Sequence, residues 1–159
     1  MRNAMLTTLN AALLREYSRA GFWGVETIYG LVRANAEKEP DKIAIVSRAR
    51  SVTYRELLEA VDRLAGDLSA RGLGSCDRVA VWLPSRVETA VAVLACSRNG
   101  YVCCPSLHRD HTVGDIVELL ERMRASALIA EAGYGADAAQ NDAFEAAKAR
   151  VALKATYRL

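Results

Sequence analysis

The densest run of chemistry-bearing side chains is YVCCPSLHRDH, residues 101–111. Cys103, Cys104, His108 and His111 carry enough sulfur and nitrogen to hold a zinc ion, but their order opposes it. Adjacent residues of a strand point to opposite faces, so Cys103 and Cys104 cannot both turn toward one ion while the strand is intact. The C-x2-C and H-x3-H pairs that open most structural zinc sites are absent. A cysteine nucleophile fails for a related reason. It needs a helix N-terminus or an imidazole to hold its thiolate, and a mid-strand thiol has neither. The two cysteines therefore read as buried strand thiols that behave as small hydrophobes. Cys76 lies in a polar turn with no base beside it.

The following loop, Ser106 to His111, leaves the C-terminal end of an expected parallel strand, which is where open α/β sheets bind ligands. There His108 and Arg109 are placed to meet an anion, and a solvated connection capped by Thr112 is the competing reading. Gly72-Leu73-Gly74 follows a helix, whereas a dinucleotide-binding loop follows a strand, so it reads as a helix stop. No G-x4-G-K-[ST] phosphate loop occurs.

The elements that must position these residues are readable from periodicity. Leu6, Leu9, Leu13 and Tyr17 recur at helical spacing and predict an amphipathic N-terminal helix, broken at Gly21-Phe22-Trp23-Gly24 with Trp23 as an anchor onto the main body. Residues 1–26 form this lead-in, and residues 27–159 form the α/β unit. A helix is expected from Thr27 to before Pro40, a strand at Ile43 to Val46, and a turn at RARS. Thr53-Tyr54-Arg55-Glu56 has the form of a capping box, opening a helix with Leu57, Val61, Leu64 and Leu68 on one stripe. Gly72 and Gly74 end it.

Val79 to Leu83 is a continuous apolar run, as expected of a strand covered on both faces. Ser85-Arg86-Val87-Glu88 repeats the capping pattern before VETAVAVLACS, a helix apolar nearly all round and therefore sandwiched. Tyr101 to Cys104 is a further short buried strand. Thr112 caps a helix with Val113, Ile116, Leu119, Leu120 and Met123 inward; Ala127 to Ala130 is the next strand. An Ala-rich helix and a final strand around Ala152 to Tyr157 follow. This alternation predicts an α/β fold: a mostly parallel sheet flanked by helices on both faces.

Composition agrees, at 52% hydrophobic and 25% charged over 159 residues, a length suited to one domain. The net charge of +2, with basic residues scattered, gives no footprint for nucleic acid. MLTTLNAALL is too short and too interrupted to span a bilayer. Cysteines at 76, 96, 103 and 104 form no disulfide framework, so a reducing, cytoplasmic location is expected.

In order, RAGFWG, TIYGLVRANAEKEPDKIAIV, SVTYRELLEAVDRLAGDLSARGL, DRVAVWLPSRVETAVAVLACSRNGYVCCPSL and HTVGDIVELLERMRASALIA resemble the N-terminal subdomain of the adenylate-forming enzymes, specifically the acyl-CoA synthetase (AMP-dependent synthetase and ligase) branch. The resemblance covers residues 19 to about 135. Two departures stand out. Cys76 occupies the place of the usual glycine before Asp-Arg-Val, which puts a positive-φ turn there in question, and Ser85 replaces a common Asn.

The resemblance implies a parent ligase that activates a carboxylic acid with ATP to an acyl-adenylate and transfers it to CoA, with Mg²⁺. Its phosphate loop and catalytic lysine are expected beyond Leu159, so this chain is expected to be a non-catalytic N-terminal piece, with no catalytic or metal-binding residue assigned. The resemblance also implies a CoA contact at the loop carrying His108 and Arg109; the arginines that some relatives place after the strand matching Ala127 to Ala130 are lacking in EAGYGADA. The implied partners are the remaining C-terminal portion of the ligase, or a second copy, met through exposed apolar surface. The alternative is a stand-alone α/β interaction module that kept the fold and lost the chemistry.

Overall fold

A computed structural model describes residues 10–48 and 50–159. The predicted start of the first helix at Leu6 and Leu9 lies outside the described residues. Within them, α1 is Ala11–Arg19 and α2 is Ile28–Lys38. The Asn10 and Thr27 side chains accept from backbone amides of the first turn, satisfying donors that a helix start leaves free. α1 has no buried residue. Trp23 packs edge-on against Tyr17 of α1, centroids 5.3 Å apart, and stays 42% exposed. This contact ties the lead-in to α1.

The strand at Ile43–Val46 (β1) does not join the parallel sheet. It forms a separate antiparallel pair with Ser51–Thr53 (β2), in register Ile43↔Thr53 and Val46↔Ser51 with an irregularity between. The turn is closed by Ser47, whose amide and hydroxyl both donate to the Arg50 carbonyl. β2 runs directly into α3 (Tyr54–Ala70), where the capping box predicted at Thr53 and Glu56 is present in both directions.

The main sheet has four parallel strands in the order β4-β3-β5-β6. β3 is Arg78–Trp82, β4 Val102–Ser106, β5 Ala127–Ala130 and β6 Ala155–Arg158; α4 (Val87–Asn99), α5 (Val113–Met123) and α6 (Ala143–Arg150) connect them. The chain moves from β3 out to the edge at β4, then back past β3 to β5. Right-handed crossovers with that reversal put α4 and α5 on opposite faces, and the core divides accordingly. Val79, Val81, Ala127 and Ile129 pack with Leu68 of α3 and Ala92 of α4. Ala80, Trp82, Leu128 and Ala130 pack with α5 and α6. α4 is sandwiched as expected, because α2 and the β1–β2 hairpin lie against its outer side and that of α3.

Three further expectations need correction. β4 is an edge strand and only half-buried, extending through Pro105 to Ser106. An edge tolerates Pro105, because its missing N–H faces no further strand. Ser85 does not cap α4: the cap position is Arg86, in extended conformation and without a capping side-chain bond, which leaves Ser85 one residue too early. The turn before β3 keeps its positive φ despite the side chain, with Cys76 at φ +66.

At the sheet's N-terminal end, the buried Asp77 carboxylate accepts from the Gly74 amide and from Lys154 Nζ, each at 2.8 Å. Lys154 also donates to the Gly72 carbonyl at 2.9 Å and immediately precedes β6. The last strand is thereby tied to the turn that starts the first.

Candidate ligand-side loops at the C-terminal end of the sheet

β3, β4 and β5 all end at one rim, where β3 sends its chain to one face and β4 and β5 send theirs to the other. Such a reversal opens a crevice between the diverging connections. The loop after β4 is held there by its backbone. Trp82, the last residue of β3, donates its indole N–H to the His108 carbonyl at 3.1 Å, and Tyr134 donates its hydroxyl to the Leu107 carbonyl at 2.6 Å. The two rings meet edge-on at 5.7 Å. The Ala136 amide closes the far end by donating to the His111 carbonyl at 2.9 Å.

This clamp needs Gly135. Its φ is +135, and a Cβ there would sit 2.6 Å from the Trp82 ring. Thr112 then starts α5 through a capping box with Asp115, and the Thr112 contacts hold the Asp115 carboxyl below its usual value. With the backbone pinned, the side chains point outward: His108, Arg109 and Asp110 are exposed, and the His108 and His111 rings meet nearly perpendicular at 5.6 Å. His108 and Arg109 do lie together on the loop at the strand ends.

The crevice between β3 and β5 carries its own charge. Arg86 donates to Glu88 and to Glu131, both at 2.6 Å. Burial pushes the Glu88 carboxyl up, but Arg86 and the backbone pull it to a net value below the ordinary one. After β5 the chain carries Glu131, paired with an arginine reaching over from the β3–α4 connection that Glu88 also neutralises. Beside it, a cleft of about 190 Å³ is lined by Glu131, Gly133, Tyr134, Asn141 and Asp142. Asp142 caps α6 and pairs with Arg158, and its carboxyl is held low by that arginine first. An anion entering the cleft would meet carboxylates.

Cys103 and Cys104 diverge as strand neighbours must, with Cys103 packing on the Val79–Val81 side. Burial raises the Cys104 thiol pKa, with its neighbour Cys103 adding to the shift. Among the described residues, no group of three or more His, Cys, Asp or Glu is placed to hold a metal ion. None of the described helices is long and apolar enough to cross a membrane.

Reading the sequence missed Arg86, Glu131, Trp82 and Tyr134. The signal for the last two was available: an indole closing an apolar strand and a tyrosine between two glycines, each with a polar group that needs a partner when buried.

The sequence model of the "AMP-binding enzyme" family matches residues 32–158. Acetyl-coenzyme A synthetase of Magnetococcus marinus is 41% identical over 80 residues, covering 46% of this chain and 12% of that protein. Medium-chain fatty-acid–CoA ligase of Escherichia coli is 37% identical over 101 residues, covering 63% of this chain and 18% of its own length. Among solved structures, apo MbtA of Mycobacterium smegmatis superposes with a TM-score of 0.70 at 30% identity, over 88% of this chain and 26% of that one. The chain therefore spans about an eighth to a quarter of these relatives. Together with the parallel sheet, the match over residues 32–158 places this chain in the AMP-binding family of adenylate-forming enzymes.

Proposed function

We propose that this chain serves as the N-terminal α/β subdomain of an acyl-CoA ligase. The complete enzyme converts a carboxylic acid and ATP to an acyl-adenylate and pyrophosphate, then passes the acyl group to the thiol of CoA. The observation that carries this reading is the family match over residues 32–158, joined to relatives whose names are those of acetyl- and fatty-acyl-CoA ligases. No step of adenylate formation is assigned to the described residues. Their part is to present the rim loops.

Within that role, Arg109 supplies positive charge and His108 an imidazole N–H to a phosphate of CoA. Support comes from their exposure on a loop whose backbone is fixed by Trp82 and Tyr134. In the complete enzyme, Arg109→Ala is expected to raise KM for CoA about fivefold, the equivalent of roughly 1 kcal/mol for one charge-assisted contact. kcat stays unchanged, as for an interaction made equally in ground and transition states. An unaltered KM would remove the loop from the CoA site.

Phe22, Val25, Ile28 and Leu31 are all exposed, which favours association through the lead-in and α2. The partner in this reading is the remaining ligase polypeptide or a second copy. The same surface supports the second reading, a free-standing interaction module without chemistry. A reducing cytoplasm suits the four unpaired cysteines.

A further inference from the structure

The β5–α6 connection, residues 131–142, reaches back to the loop between β4 and α5 at several points. The Leu107 carbonyl accepts from the Tyr134 hydroxyl, and the His111 carbonyl from the Ala136 amide. Between them the His108 carbonyl accepts from the Trp82 indole at the end of β3. Asp137 adds a further anchor. Its carboxylate accepts from the Val113 amide and from the Asn141 side-chain amide, each at 2.7 Å. The backbone is thus held at 107, 108, 111 and 113, with Arg109 and Asp110 forming the turn between held carbonyls.

This fixing does not serve the core. Leu107 is 49% exposed, and His108, Arg109 and Asp110 are exposed as well. Trp82 and Tyr134 are buried in the cluster with α5 and α6, and each sends its polar atom out to this loop. A buried indole or phenol needs a hydrogen-bond partner. Here two such donors, one from β3 and one from the β5–α6 connection, take consecutive carbonyls of a single exposed segment.

We propose that Trp82 and Tyr134 are positioning residues that preset the turn carrying Arg109 and so raise the affinity of this rim for a phosphate of CoA. The inference rests on the CoA reading of the loop. A free turn would have to be ordered when the ligand arrives, and the lost freedom would subtract from binding. With its carbonyls already held, the turn leaves mainly the Arg109 side chain to be ordered. Neither ring touches the ligand; each acts through Arg109.

Tyr134→Phe removes one hydroxyl and keeps the ring that meets Trp82 at 5.7 Å. In the complete ligase it is expected to raise KM for CoA about threefold through lost preorganisation. kcat and the KM values for ATP and the acid stay unchanged. Combined with Arg109→Ala it adds nothing, because no charge remains to be positioned. Backbone hydrogen exchange of the same proteins gives a readout without CoA: Tyr134→Phe speeds exchange within residues 107–111 and leaves β3 and β5 protected. Trp82→Phe deletes the other donor and gives the same pattern, which decides the matter if Tyr134→Phe does not fold.

If Arg109→Ala raises KM for CoA and neither donor variant does, the CoA reading stands and the positioning role is overturned. Effects that multiply in the double variant, or a KM for ATP that rises alongside, overturn it too, since Tyr134 would then act apart from Arg109. Unchanged exchange at 107–111 in both donor variants removes the clamp itself. An Arg109→Ala enzyme with unaltered KM for CoA sinks the CoA reading first, and the positioning role with it.

Discussion

Cys76 holds a left-handed backbone, φ +66, in a conformation that glycine adopts without strain and other L-residues adopt at a cost of about 1–2 kcal/mol. The turn is fixed from both sides: the Cys76 amide donates to the Gly100 carbonyl at 2.8 Å, and the Asp77 amide to the Gly74 carbonyl at 3.0 Å. The strain is therefore imposed by the position of β3 and cannot relax locally. Cys76→Gly is expected to raise stability by about 1 kcal/mol, after allowing for the extra freedom of glycine in the unfolded chain. Urea denaturation measures this directly, and a loss of stability would mean that the cysteine side chain contributes packing that outweighs the backbone strain. The sequence alone pointed to this position only as a departure from a family pattern, because φ is a property of the closed turn.

Among the elements, β6 shows how an edge strand is kept in place by polar contacts. Lys154 pairs with Asp77, Tyr157 hydrogen-bonds Asp67, and Arg158 pairs with Asp142. Only the first reaches a buried carboxylate. Burial alone would push the Asp77 carboxyl up, yet Lys154, the Gly74 amide and the Ser126 hydroxyl bring it below the ordinary value. With its folded pKa below its unfolded one, Asp77 contributes stability that is complete above the unfolded value and fades as pH falls through the folded value. Asp77→Ala is expected to cost about 2–4 kcal/mol at neutral pH, because Lys154 and the Gly74 amide lose a buried partner. It should also flatten the acid limb of a stability–pH profile, measured by urea denaturation from pH 2 to 7; an unchanged limb would deny Asp77 that role. Elements set by local signals were legible in the capping box at Thr53 and Glu56, the cap at Thr112 and the helix stop at Asn99-Gly100, while the same capping pattern misled at Ser85. Those set by distant partners were not. β2 has three residues that double as the lead into a helix cap, so its pairing with β1 left no separate mark. The edge position of β4 depends on strand order, which no local pattern encodes.

For the whole molecule, the sheet carries α5 and α6 on one face and α3 and α4 on the other, with α2 and the hairpin outside those. All three rim loops face one end, and the exposed apolar residues of the lead-in and α2 lie in the N-terminal part of the chain. Fold class and family were legible because motif order survives even where single residues depart from it. The rim's charge balance was not, because Arg86 and Glu131 are 45 residues apart in sequence and meet only when the sheet closes. The most direct test of the subdomain role is the intact mass of the native protein, captured from its source cells with an antibody to this segment. The account predicts a polypeptide several times heavier than 17.3 kDa that forms acyl-CoA from a carboxylic acid, ATP and CoA. A product of 17.3 kDa without that activity would contradict the subdomain role and leave the free-standing interaction module in its place.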